Sequence, residues 1–282
     1  MKSVVADYRY RILCLRIVPV TGSPIYLTDH PRDLVMGGHT YLSTAGYQFT
    51  GQSATAGFSP ASVDIEGIAG ASGLSRAAVG SGLFDGARCY VFATSWAAPV
   101  EDQEPVVAGI FGKATLLDHR FQIGGVSLID ALNQTVGQTY GAQCPKLFCG
   151  TEYAGCGVSL AANTVTGTLT SVTSASVFTA SARTEAADTF GAGTIQFTSG
   201  PNAGLKALEI KSFAGGVITT FEPFYTLPVA GNAYSMVRGC RKRLSDCQAR
   251  WNGSGIVSNV ANFGGFPWIP TGSTYSQVGQ GG

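Results

Sequence analysis

Apolar and polar residues alternate in short runs along this chain, and the runs are broken by Gly, Pro, Asn and Asp. Period-two alternation between such breaks predicts strands rather than helices. Residues 9–20, containing YRILCLRIV, predict a first strand, Thr21-Gly22-Ser23-Pro24 a turn, and Ile25-Tyr26-Leu27 the start of a second strand, so the chain opens on a hairpin. Met36-Gly37-Gly38-His39 predicts another turn before Thr40-Tyr41-Leu42. Residues 62–67 (SVDIEG) predict a half-buried strand and residues 75–81 a short helix. Strands follow over 88–96 and 105–117, and a further strand over 121–132 runs into a short helix. Residues 1–141 therefore form an N-terminal domain that is a meander of short strands.

Beyond a loop carrying Cys144, Cys149 and Cys156 the pattern changes. Residues 159–237 are almost free of charge and rich in Thr, Ser, Val and Gly, with predicted strands at 164–172, 194–197, 207–213 and 217–222. Turn residues at this spacing predict a small β barrel or sandwich. It is inserted within a cysteine-bearing C-terminal domain, 142–270. After Gly239 the segment CRKRLSDCQARWN predicts a short helix ended by Asn252-Gly253. Residues 271–282, rich in Gly, Ser, Thr and Gln, predict an arm without a core of its own. The fold class is mainly β.

Composition narrows the function classes. Charged residues make up 12% of the chain, half the usual share of about 25%. Together with 38 glycines this fits either a surface covered by neighbouring subunits or simply a weakly charged β protein. The net charge is +1, and the one basic run, from Arg238 to Arg243, is too short for a nucleic-acid footprint. No stretch reaches the ~18 apolar residues of a membrane span, and the first ten residues carry no leader pattern. The expected compartment is a reducing cytoplasm. Seven cysteines, an odd number, are there not expected to form a disulfide framework.

Five of the seven cysteines fall in two clusters, Cys144, Cys149 and Cys156, then Cys240 and Cys247. Two sulfurs from each would make a four-thiolate site for Zn²⁺ or an iron–sulfur cluster. On a helix, Cys240 and Cys247 would face the same way. Arg241, Lys242, Arg243 and Lys146 would offset the thiolate charge. Cys14 and Cys89, inside apolar strands, read as buried apolar residues. The pair Asp29-His30, with Asp33 nearby, could serve acid–base work, but no nucleophile accompanies it, and backbone hydrogen bonding at a strand end is the preferred reading. His39 and His119 are isolated, and no phosphate-binding or dinucleotide fingerprint is present. The chain is read as a non-enzyme; the alternative is a metal- or redox-dependent enzyme, against which four cysteine ligands leave no open coordination position and no acid–base partner lies nearby in sequence.

Leu27-Thr28-Asp29-His30 with Asp33, Gly38 to Tyr41, Gly82 to Ala87, and Gly109 with Gly112 fall in the order of a known family. The same holds for Cys144-Pro145-Lys146-Leu147-Phe148, Cys156-Gly157-Val158, and Phe197 to Gly204. Gly239-Cys240, Cys247 with Ala249-Arg250, and Asn262 to Pro267 complete the set. On these motifs, nearly the whole chain resembles the phage tail-tip (baseplate hub) proteins, which include the minor tail protein L of phage lambda and the hub proteins of gene transfer agents. The resemblance implies an N-terminal hub domain and a structural role in tail assembly and genome delivery. It implies a four-iron, four-sulfur cluster on Cys144, Cys156, Cys240 and Cys247, with zinc as the alternative. Cys149 is an extra cysteine and the alternative to Cys144; Cys144 is preferred because Leu147-Phe148 then falls where the family has a Leu-aromatic pair. The implied partners are copies of the same chain, as a trimer, together with a distal tail protein and a central hub or fibre protein. The implied location is the virion tail, after synthesis in a bacterial host's cytoplasm.

Overall fold

The structure, a computed structural model, describes residues 8–43, 47–52, 62–68, 74–117, 120–127, 137, 140–151 and 155–268. It is mainly β and divides into two compact units, 1–135 with 204–206, and 136–203 with 207–282. The helix predicted after residue 127, His119 and the 271–282 arm lie outside the described residues.

The first unit is built on strands β1 (Arg11–Val18), β2 (Ile25–Thr28), β3 (Leu34–Met36), β4 (His39–Tyr41), β5 (Tyr47–Gln52) and β6 (Ser62–Ile68). These are followed by helix α1 (Arg76–Gly80) and strands β7 (Arg88–Ser95), β8 (Glu104–Leu117) and β9 (Arg120–Ser127). Seven strands form one sheet in the order β2-β1-β7-β8-β9-β6-β5, and β3 and β4 form a separate hairpin. The predicted opening hairpin is present, with Cys14 opposite Thr28 and Ile17 opposite Ile25. Strand β5 had no counterpart in the sequence reading.

Strand β1 is apolar on both sides because both faces of it are covered. Leu15 and Ile17 join Leu27, Phe84, Val91, Phe111 and Ile123 in one core. Ile12 and Cys14, on the other face, pack with Leu34, Met36, Tyr41 and Phe92 beneath the β3–β4 hairpin. Successive side chains of a strand point to opposite faces, so a run without clean alternation marks a strand buried twice. Cys14 and Cys89 are fully buried in these cores, as expected of apolar cysteines. The Asp29-His30 pair makes backbone contacts: the Leu13 N–H donates to Asp29 Oδ1 at 2.9 Å, and the Arg32 N–H donates to His30 Nδ1 at 3.2 Å. Helix α1 is started by Ser75, whose hydroxyl accepts from the Ala78 N–H at 3.1 Å.

The second unit contains helix α2 (Leu160–Asn163) and strands β10 (Thr164–Thr168), β11 (Ser171–Ser174), β12 (Val177–Thr179) and β13 (Thr194–Phe197). Strands β14 (Leu208–Ala214), β15 (Val217–Thr220) and β16 (Ala233–Val237), helix α3 (Leu244–Gln248), and the hairpin of β17 (Arg250–Trp251) and β18 (Ile256–Val257) complete it. Seven strands form one sheet, β10-β16-β13-β14-β15-β12-β11, curled into a half-barrel around Phe178, Phe190, Ile195, Phe197, Phe213, Ile218 and Met236. Register shifts between Val172 and Ser174 and between Ile210 and Ser212 are β-bulges, which bend a sheet and increase its twist. The second bulge also keeps Phe213 inward: Leu208 and Ile210 alternate into the core, and the extra residue resets the phase.

Three expectations need correction here. The strand predicted over 164–172 is two strands, β10 and β11, separated by Leu169, which turns into the core, and Thr170. The helix predicted after Gly239 is shorter. It begins at Leu244, so Cys240 precedes it and shares no helical face with Cys247. Lys242 between them has φ +63°, a left-handed backbone that breaks a helix at that point. Residues 250–252, predicted to finish that helix, instead begin the β17–β18 hairpin, in which Arg250 lies opposite Val257 and Trp251 opposite Ile256.

Candidate metal centre

The first and last strands of the curled sheet pair antiparallel, from Thr164 opposite Val237 to Thr168 opposite Ala233. The segments that carry Cys156 and Cys240, far apart in sequence, therefore meet the β10–β16 pair at the same end. Closing that long loop is the work of the strand pairing, so a metal is not needed for it. The Arg238 N–H donates to the Asn163 carbonyl at 2.9 Å and extends the closure. Gly239 then passes so close to residue 191 that a Cβ there would overlap the Gly191 carbonyl oxygen.

Three segments meet beyond this edge. The Cys144 N–H donates to the Lys242 carbonyl at 2.9 Å, and the Lys242 ammonium donates to the Lys146 carbonyl. The Asn259 N–H donates to the Cys247 carbonyl at 2.7 Å, while its side-chain amide donates to the Cys156 carbonyl at 3.0 Å. The Phe266 N–H donates to the Gly141 carbonyl at 2.8 Å. A Cβ on Gly265 would come within 2.8 Å of the Ala142 carbonyl oxygen, so this approach needs glycine.

Two donors are directed at sulfur: the Gly264 N–H reaches Cys144 Sγ at 3.4 Å, and the Asn259 amide reaches Cys156 Sγ at 3.8 Å. Hydrogen bonds to sulfur of this kind tune iron–sulfur centres. The Cys247 thiol is pushed up by burial and then by charge on Cys240, with Arg250 opposing and Cys144 and Cys156 adding to the rise. Burial pushes the Cys149 thiol up to about 11, with Cys156 and Cys240 contributing and Arg250 and Lys242 opposing. Cys247 thus lies within electrostatic reach of Cys144, Cys156 and Cys240, and Cys149 within reach of Cys156 and Cys240. As they stand, no group of three or more His, Cys, Asp or Glu side chains among the described residues is drawn in tightly enough to hold a metal ion. Closing a site requires the thiols to turn toward one another. The donor set of soft sulfur ligands fits zinc or an iron–sulfur cluster.

The charges differ from the sequence reading. Arg241 forms a two-pronged pair with Asp188, and Arg243 pairs with Asp246 at 3.4 Å. Lys146 reaches the Gly155 carbonyl at 3.5 Å. The cation that faces the thiols along with Lys242 is Arg250, which the sequence reading left without a role. Its place three residues after Cys247 was the available signal. Asn259 carried no such signal.

Comparison with known proteins is consistent across the chain. Residues 9–159 match the family described as "Baseplate hub protein, N-terminal attachment domain", and residues 188–272 match "Phage conserved hypothetical protein BR0599". Cys144 and Cys156 lie in the first match, Cys240 and Cys247 in the second. No curated protein matches the chain. Among solved structures, a chain of the "Virion of native gene transfer agent (GTA) particle" superposes with a TM-score of 0.75 at 23% identity, covering 93% of this chain and 88% of that one. That likeness shows a shared fold. With more than half of its residues inside the first match, the chain belongs to the baseplate hub protein family.

Proposed function

We propose that this protein is a structural, non-enzymatic part of a phage-type tail tip. In this reading it is made in the bacterial host's cytoplasm and works in the virion, in tail assembly and genome delivery. Family membership supports this, and so does the low charge, which suits surfaces covered by neighbours. The first unit would pack into a ring of identical copies, a trimer, between a distal tail protein and a central hub or fibre protein. Sedimentation of the purified chain tests this: a trimer is expected, and a monomer at all concentrations argues against self-association.

In the same reading, Cys144, Cys156, Cys240 and Cys247 hold a four-iron, four-sulfur cluster. One observation carries it: backbone and amide hydrogen bonds tie the four cysteine segments into one neighbourhood, and two donors point at Cys144 and Cys156 sulfurs. Bound there, a cluster supplies cross-linking of the cysteine loop, helix α3 and the 259–266 segment. Helix α3 is five residues long and buries little beyond Cys247, so such a link adds stability the local core does not. Anaerobic purification with iron, sulfide and zinc analysis tests the reading. Iron and sulfide in wild type, lost in Cys247→Ser, are expected. Stoichiometric zinc without sulfide would make the site a zinc centre, and neither metal would remove the site. Cys149→Ala distinguishes the ligand choice, since retained iron leaves Cys144 as the fourth ligand.

A further inference from the structure

Arg250 is 6% exposed. A guanidinium stays protonated at any pH a protein meets, so burying it requires a counter-charge or leaves a large solvation cost. Its contacts among the described residues supply none. Nη1 donates to the Gly239 carbonyl at 2.8 Å, and the guanidinium lies over the Phe148 ring, 4.9 Å from its centroid. Among the described residues no carboxylate pairs with it, and the nearby Asp188 and Asp246 are taken by Arg241 and Arg243. The position is specific in another way. Phe148 precedes Cys149, Gly239 precedes Cys240, and Arg250 follows Cys247 by three residues. One side chain therefore touches or adjoins three cysteine-bearing segments.

We propose that Arg250 is the counter-ion of the cysteine site, a positioning residue that stabilises the anionic thiolate assembly and holds the Phe148 and Gly239 segments around it. This rests on the reading of the four cysteines as ligands. Four thiolates around a doubly positive core leave a double negative charge. A buried cation beside it offsets the cost of that charge, which a fully solvated cation would do weakly. The planar group also explains why arginine stands here. It stacks on Phe148 and bonds Gly239 at once, which an ammonium does less well.

The test uses the full chain, reconstituted anaerobically with ferrous iron and sulfide, as wild type, Arg250→Met and Arg250→Lys. Iron loss to a ferrous chelator is timed, and the reduction potential is measured by dye titration. Arg250→Met is expected to lose iron about 10–100-fold faster, the usual scale for a residue behind the ligands, and to shift the potential lower, because reduction adds negative charge that the arginine favours. Arg250→Lys is expected to keep most of the potential and part of the retention. Equal retention and potential in all three chains overturns the inference while leaving the cysteine site intact. A Lys variant as impaired in potential as the Met variant also overturns it, because the positive charge would then not be the active feature. Should Arg250→Met fail to fold, Arg250→Gln, which keeps a polar planar group and loses the charge, takes its place: a lower potential is expected, and an unchanged potential overturns the inference. A wild-type chain that takes up no iron overturns the cysteine reading and this inference with it.

Discussion

Asn259 bridges two cysteines: its amide donates to the Cys156 carbonyl at 3.0 Å, and its backbone N–H donates to the Cys247 carbonyl. Only the first bond depends on the side chain. Asn259→Ala would leave the Cys156 carbonyl without its donor, at a cost of about 1–3 kcal/mol. Denaturant unfolding of the full chain should show that loss in the transition of the second unit. Asn259→Asp, which offers no donor, should be no better.

Gly239 tests the close approach at the sheet edge. Gly239→Ala forces a Cβ into the Gly191 carbonyl and should destabilise the second unit by about 3 kcal/mol. Gly231 is a control with φ +88° and open space around a Cβ. Gly231→Ala should cost only the left-handed backbone penalty, about 1–2 kcal/mol. Paired melting curves separate the two effects.

Cys14 carries a pH prediction. Burial pushes its thiol from 9.0 up to about 12, with Thr28 opposing, and burial pushes Cys89 up to about 11. The folded state thus favours the protonated thiols. Their contribution is fully present below pH 9 and is lost as pH rises toward 11 to 12. Wild-type stability should fall between pH 8 and pH 11 by more than that of Cys14→Val, whose side chain cannot ionise. Thermal melts of both chains at the two pH values check this, and parallel falls would show that Cys14 does not contribute.

Phe178 tests the curled-sheet core. It is fully buried and meets Phe197 edge-on at 6.0 Å between centroids. Phe178→Ala should cost about 3–5 kcal/mol. Phe221, 60% exposed, should tolerate Ala within about 0.5 kcal/mol in the isolated chain. Chemical unfolding monitored by far-UV circular dichroism measures both.

The sequence by itself determined many of the strands, because alternation and turn residues act locally, but carried no signal for β5 or β16. The opening hairpin, the helix capped by Ser75, and the strands ending at Phe197 and beginning near Val217 were legible for that reason. It also marked Cys14 and Cys89 as core residues and set the other five cysteines apart. Tertiary structure decided what depends on pairing between distant segments. It joined Thr164 to Val237, which closes the second unit without a metal, and it moved the start of the expected helix past Lys242, whose backbone no local pattern betrayed. It paired Arg241 and Arg243 with carboxylates and turned Arg250 inward. In sequence these three arginines are alike, since a side chain's charge is read at once but its counter-charge is set by whatever the fold brings beside it.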